Sequence, residues 1–228
     1  RLFETMPAVR KSQADRSAET SGKILRAAQK LFARSGFDGV TMRAIASEAG
    51  VNLASIVYYF ENKEGLYLSV FRHYAEPLME ERMKLLKEAD REPSLRAYAR
   101  AFIEPAFRIL LDESLGGPDH MRLLWRLPQE PECLVEKIYD EFYAPVIREM
   151  TERVRQICPW GDELSLSWHV HIMSSIFHAT LGKYATRPDL HDKEPWMKDQ
   201  DRILKMIVDT AVLLISRPAL SPDKEGNA

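Results

Sequence analysis

Between Thr41 and Lys63 the chain carries signals for two short helices, with too few residues between them for anything but a tight turn. Thr41 stands where a hydroxyl can accept an orphan backbone N–H at a helix start. Ile45, Ala46 and Ala49 then recur at helical spacing. Gly50 falls where a helix ends in a left-handed residue, a conformation that costs glycine little. Asn52 is placed to cap a second helix, and Ile56 and Phe60, four apart, give that helix one buried edge. Asn62 opens a third helix with Leu66, Val70, Phe71 and Tyr74 on its inner face. This is the pattern of a helix-turn-helix, a motif whose second helix enters a DNA major groove.

Geometry then assigns roles. Residues at the start of such a second helix face base edges, here Leu53, Ala54 and Ser55, with Tyr59 one turn on. The Ser55 hydroxyl can donate or accept, whereas Leu53 and Ala54 offer only apolar contact, for instance to a thymine methyl. Thr41, Arg43, Asn52, Tyr58 and Lys63 are expected nearer the phosphates, where helix N-termini add backbone N–H groups. Tyr58 has a rival reading as a core tyrosine with its hydroxyl satisfied.

An ordered set of residues also carries a resemblance: Phe32 and Gly36, then Thr41-x-Arg43-x-Ile45-Ala46-x-x-Ala49-Gly50-Val51, Ile56, Tyr58-x-Phe60, Asn62-Lys63-Glu64 and Leu66. Over residues 20–75 the chain resembles the TetR family of one-component transcriptional regulators. The resemblance implies an all-helical fold, with an N-terminal three-helix DNA-binding domain and a C-terminal helical domain for effector binding and dimerisation. The expected division is an N-terminal arm at 1–19, a DNA-binding domain at 20–66, an effector and dimer domain at 67–217 and a loose tail at 218–228. Two positions depart from the family pattern. Val57 stands where members often carry an aromatic that touches phosphate, and Ala54 where they carry Gly or Pro.

Charge sharpens the division. The 228 residues hold 32 Lys and Arg against 34 Asp and Glu, a net charge of −2. Residues 1–63 hold 10 against 6, or +4, so the remainder holds 22 against 28, or −6. A basic head on an acidic body suits a nucleic-acid module joined to a sensor. Cys133 and Cys158 are too few and too far apart for a metal or redox motif and fit a reducing compartment. The N-terminus shows no apolar secretory run and no stretch is apolar enough to span a membrane, so the expected location is cytoplasmic.

Beyond the arm, which is mildly basic through Arg10, Lys11 and Arg16, a first helix is expected from about Thr20, with Ile24, Ala27, Ala28, Leu31 and Phe32 at helical spacing. Residues 62–89 read as a long helix that Pro77 should kink or end, with Glu80, Glu81, Arg82, Lys84 and Lys87 as a solvated face. Ser94 can cap the next helix, which runs towards Gly116-Gly117-Pro118. A short piece from Met121 follows, then a long helix from Pro131 to about Cys158 with a bend at Pro145. Two further helices are expected, from Asp162 to about Thr186 and from Asp199 to Ser216.

Those last two helices carry more apolar width than one intramolecular face uses. A two-fold interface would bury the excess, with Ile172, Ile176, Phe177, Thr180, Ile203, Ile207, Thr210 and Leu214 as its expected members. For an effector pocket the candidates are Phe102, Phe107, Trp125, Phe142, Tyr143, Trp168, His171 and Met173, whose side chains would suit an apolar or aromatic ligand. His169, His171 and His178 share a helix without the i, i+4 spacing of paired metal ligands, so no metal and no cofactor is expected. Nucleophile elbows, phosphate-cradling glycine loops and His-Glu-x-x-His are absent, which argues against an enzyme. The expected activity is a repressor that binds a palindromic DNA operator as a homodimer and is released by a small effector. The alternative is a helical adaptor that binds a protein and no specific DNA.

Overall fold

The computed structural model describes residues 12–158, 162–187, 189, 193 and 199–216. Among these residues every regular element is helical. The chain divides into two compact units, Arg1–Val70 and Phe71–Ala228.

In the first unit α1 spans Gln13–Ser35. It starts earlier than the periodicity from Thr20 suggests, so the end of the expected arm is helix. The cause is a capping box, in which the Ser12 hydroxyl accepts from Asp15 N and the Asp15 carboxylate accepts from Ser12 N, both at 3.0 Å. Residues 1–11 lie outside the described residues. Helix α2 is Met42–Ala49 and α3 is Leu53–Phe60. The core is Ile24, Ala28, Phe32, Ile45, Ile56, Leu66 and Tyr67, all sealed from solvent. Tyr67 meets Phe32 edge-on with ring centroids 4.9 Å apart, and Phe37 at 5.3 Å. Lys30 pairs with Glu48, tying α1 to α2.

Helix α4, Lys63–Ala89, starts in the first unit and continues into the second. Pro77 does not end it. Ala75, Leu78 and Met79 around the proline are all buried, so packing holds the helix where one hydrogen bond is lost. In the second unit α5 is Leu95–Leu111, capped by Ser94, and it too carries a proline, Pro105. A 3-10 turn, Glu113–Leu115, and two left-handed glycines, Gly116 and Gly117, lead into α6, Gly117–Arg126. The long helix expected from Pro131 is α7, Glu132–Ile138, and α8, Ala144–Ile157, joined by a π-helical turn at Tyr139–Tyr143. The expected bend is this wide turn just before Pro145, whose ring would clash with the carbonyl four residues back in an ordinary α-turn. Helices α9, Glu163–Thr186, and α10, Gln200–Ile215, complete the unit. The expected tail at 218–228 lies outside the described residues.

Helix α9 packs against α6, α8 and α10, and α10 against α5. A Cβ on Gly182 would come within 2.9 Å of the Trp125 ring, so this glycine lets α6 lie close on α9. The core holds Phe102, Ile103, Phe107, Ile138, Met150, Leu166, Val170, Met173, Phe177, Leu181 and Ile215.

Candidate nucleic-acid interface and sensor core

Each helix start in the motif is capped as its sequence implies. Thr41 Oγ1 accepts from Ala44 N at 3.1 Å, Asn52 Oδ1 from Ser55 N at 2.7 Å and Asn62 Oδ1 from Gly65 N at 2.9 Å. Gly50 closes α2 in the left-handed region at φ 65°. The joint after α3 is tighter than the sequence suggests. Glu61 has φ 62° and ψ −60°, and Asn62 N donates to Phe60 O at 2.7 Å, making the uncommon γ-turn of positive φ. A non-glycine residue there carries backbone strain. Gly65 permits the close approach, because a Cβ at that position would sit 2.4 Å from Phe60 O.

Helix α3 buries only Ile56. Leu53 is 37% exposed, Val57 48% and Tyr58 81%, and Ala54 is exposed too. The rival core reading of Tyr58 is therefore excluded. Val57, unassigned in the sequence, belongs to the same open face. Ser55 is half-buried, and its hydroxyl donates to Asn52 Oδ1 at 2.9 Å, leaving lone pairs to accept from a base. Tyr59 is half-buried with its hydroxyl accepting from Ser17 Oγ at 3.0 Å, which holds it towards α1. Thr41, Arg43 and Asn52 are exposed. Lys63 differs from its expected role: its ammonium donates to Val40 O at 2.9 Å and lies 4.3 Å from the centroid of the Phe37 ring. It fastens the start of α4 to the loop before α2 and is not a free surface cation.

In the second unit the expected pocket set separates. Phe102, Phe107, Phe142, Tyr143 and Met173 are buried. Trp125, Trp168 and His171 are not. Trp125 is 42% exposed where it covers Gly182, and Trp168 is 57% exposed and stacks on the exposed His171 with centroids 6.2 Å apart. These three side chains are part-exposed, unlike the five buried ones. The expected interface set also separates. Phe177 and Ile203 are buried and line the floor of the groove between α9 and α10. Ile172, Thr180, Ile207 and Leu214 are half-buried, and Ile176 and Thr210 are exposed. Leu164, Trp168 and Ile176 on α9, with Met206 and Leu213 on α10, leave large apolar surface open. Ile176, Thr180, Ile207, Thr210 and Leu214 line a groove between the two helices.

Arg82 overturns its expected place on the solvated face of α4: it is fully buried. Leu78 and Leu86, four residues on either side, are buried too, so Arg82 lies in the apolar stripe. Its Nε donates to Phe102 O at 2.7 Å, and its guanidinium lies 4.0 Å from the Phe102 ring centroid and 5.9 Å from that of Phe177. Burial draws its pKa down to about 10, which leaves it charged at neutral pH. His120 on α6 and His178 on α9 are held down to about 3, first by burial and then by the charge of Arg82, so both are neutral. Burial raises the Tyr143 phenol, and Arg82 partly opposes that rise. Among the described residues no group of three or more His, Cys, Asp or Glu is arranged to hold a metal ion, and no helix is long and apolar enough to cross a membrane.

Comparison with known proteins agrees with this geometry. Residues 24–70 match the family described as bacterial regulatory proteins, tetR family, and residues 100–212 match a tetracyclin repressor-like C-terminal domain. The HTH-type transcriptional repressor NicS of Pseudomonas putida is 42% identical over 122 residues, covering 50% of this chain and 56% of that protein. The probable HTH-type transcriptional regulator YttP of Bacillus subtilis is 35% identical over 91 residues, 40% of this chain and 42% of that protein. The chain thus spans about half the length of these curated relatives. The structure of the regulator FadR from Bacillus subtilis in complex with stearoyl-CoA shares the fold at a TM-score of 0.61 and 20% identity, covering 84% of this chain and 97% of that one.

Proposed function

The chain belongs to the tetR family of bacterial regulatory proteins, and from that premise we propose that it is a ligand-responsive transcriptional repressor that binds a palindromic DNA operator as a homodimer in the cytoplasm. One observation carries the reading. Helix α3 is firmly capped and seated by Ile56, yet it leaves Leu53, Ala54, Val57 and Tyr58 open. A short helix that exposes this much apolar surface is built for an occupant, and a major groove with thymine methyls fits it. Arg43, with the capped starts of α2 and α3, supplies contacts to phosphate.

Pairing through the open apolar face of α9 and α10 supports the dimer, and a dimer presents two recognition helices to two half-sites. Effector binding in the second unit would act by population shift, favouring a spacing of the two heads that no longer matches the operator. An apolar body suits the ring-lined core, and FadR, of the same fold, holds a long acyl ligand.

Mobility-shift titrations across a salt series test this. Two chains should bind one palindromic duplex, and affinity should fall steeply with salt. Arg43→Ala should weaken binding alike on all sequences and flatten the salt slope by about one. Ser55→Ala should change preference at one base pair. A monomer at working concentration, or unchanged affinity in both variants, would refute the docking.

A further inference from the structure

Among the described residues Arg82 is a buried cation without a counter-ion. No carboxylate among them pairs with it, and its Nη2 is sealed from solvent with no hydrogen-bond partner. Its Nη1 meets only the Met79 thioether, at 4.0 Å. Three more buried polar atoms share the condition: His120 Nε2, Tyr143 Oη and His178 Nε2. They come from three different elements (α6, the π-turn and α9) and gather around one residue of α4, since all three side chains feel the charge of Arg82. Buried polar groups are almost always paired, and a buried unpaired ion is more costly still. The Phe177 ring lies between two of them, 5.9 Å from the Arg82 guanidinium and 5.1 Å from the His178 ring, and unpartnered polar atoms on neighbouring elements are the mark of a site built for something it does not itself contain.

The chemistry of that occupant follows from the donors. Arg82 has Nη2 uncommitted and Nη1 held only by the weak Met79 contact, an edge that matches the two oxygens of a carboxylate. Ser174 Oγ lies 3.3 Å from His178 Nδ1. With the serine donating, His178 keeps its proton on Nε2 and becomes a donor into the cluster. Tyr143 adds a phenolic donor. With both histidines neutral the site holds one positive charge, which suits a single negative charge. The Phe102 and Phe177 rings beside the guanidinium supply an apolar wall.

We propose that the cluster of Arg82, His120, Tyr143 and His178 recognises the carboxylate of a small effector whose remaining body is apolar. The proposal rests on reading the second unit as effector-binding. Because Arg82 lies on α4, the helix that begins beside the recognition helix, the carboxylate engages the element best placed to carry a signal.

Matched probes test it by calorimetry and thermal shift on the full chain. Benzoate, 2-naphthoate and hexanoate are each compared with the corresponding amide at neutral pH. At least one acid should bind, and its amide should bind about tenfold or more weakly, the range for a hydrogen bond to a charged group. Arg82→Met should abolish the preference for acid over amide, while the surface control Arg155→Gln should respond as the parent does. If Arg82→Met does not fold, Tyr143→Phe and His120→Phe take its place, each removing one donor and no charge, and each should weaken the acid severalfold while sparing the amide. Amides equal to acids, no acid bound, or an acid preference that survives in all these variants would overturn the proposal and leave Arg82 as a brace for α5. DNA retention measured on the same preparations separates the two readings. A chain that binds operator but ignores every acid loses only this site, and a chain that binds acids but no DNA loses the regulator.

Discussion

The two units depart from the ordinary distribution of side chains in opposite directions. In the first, α3 carries apolar residues outside: Leu53, Val57 and Tyr58 face solvent while Ile56 alone is sealed. In the second, α4 carries a guanidinium inside, and two histidines and a tyrosine that feel its charge each bear a buried polar atom with no hydrogen-bond partner among the described residues. Each departure costs stability, and under the two proposals each is a place that another molecule completes. A major groove receives an apolar helix with few charges, because phosphate contacts elsewhere supply most of the affinity. A small ligand has no such second anchor, so the unit must present charge where water cannot screen it.

The first side of this contrast can be broken with a pair of substitutions on α3. Ile56→Ala should cost the first unit about 2–5 kcal/mol in urea unfolding, as a sealed isoleucine does. Leu53→Ala should change stability by less than about 0.5 kcal/mol while weakening DNA binding. Equal costs would mean that the outer face of α3 is core after all. The second side is sharpened by pH. His120 and His178 bind protons more weakly when folded than when unfolded, so the stability they permit is complete above about pH 6.5 and falls as pH drops towards 3. Melting followed across that window should show a slope of at most about 1.4 kcal/mol per pH unit for each histidine, reduced by His120→Phe. A flat profile would remove the buried, neutral state from the account. The smallest effect concerns the joint between α3 and α4. Glu61→Gly should stabilise the first unit by about 1 kcal/mol, relieving positive φ without touching a contact on α3. A loss of stability would show that the glutamate side chain matters more than the strain.

Much of this contrast is legible in the chain itself, because caps and turn residues act over three or four positions. Thr41, Gly50, Asn52 and Asn62 each take the local role that their type and place imply. The earlier start of α1 was readable too, since Ser12 and Asp15 stand at capping-box spacing. Partners distant in sequence are harder. Lys63 looks like any exposed cation until its ammonium is seen on Val40 O, and Trp168 reads as a pocket residue until α9 is oriented by α6, α8 and α10. Arg82 illustrates a weighting error more than a missing signal. It sits four residues from Leu78 and from Leu86, so periodicity places it inside, while its charge argues for the outside. Ordinarily charge wins that conflict, and where it loses, a function is the first thing to suspect.

The boundary at Val70 falls inside α4, so the chain is helical on both sides of it. Anyone grafting this head onto another sensor would therefore be splicing helices and not linkers. One residue too many at the seam would turn the graft by about 100°, whereas seven, close to two full turns, would nearly restore the phase. If helical phase matters to such a graft, workable hybrids should cluster at whole-turn lengths.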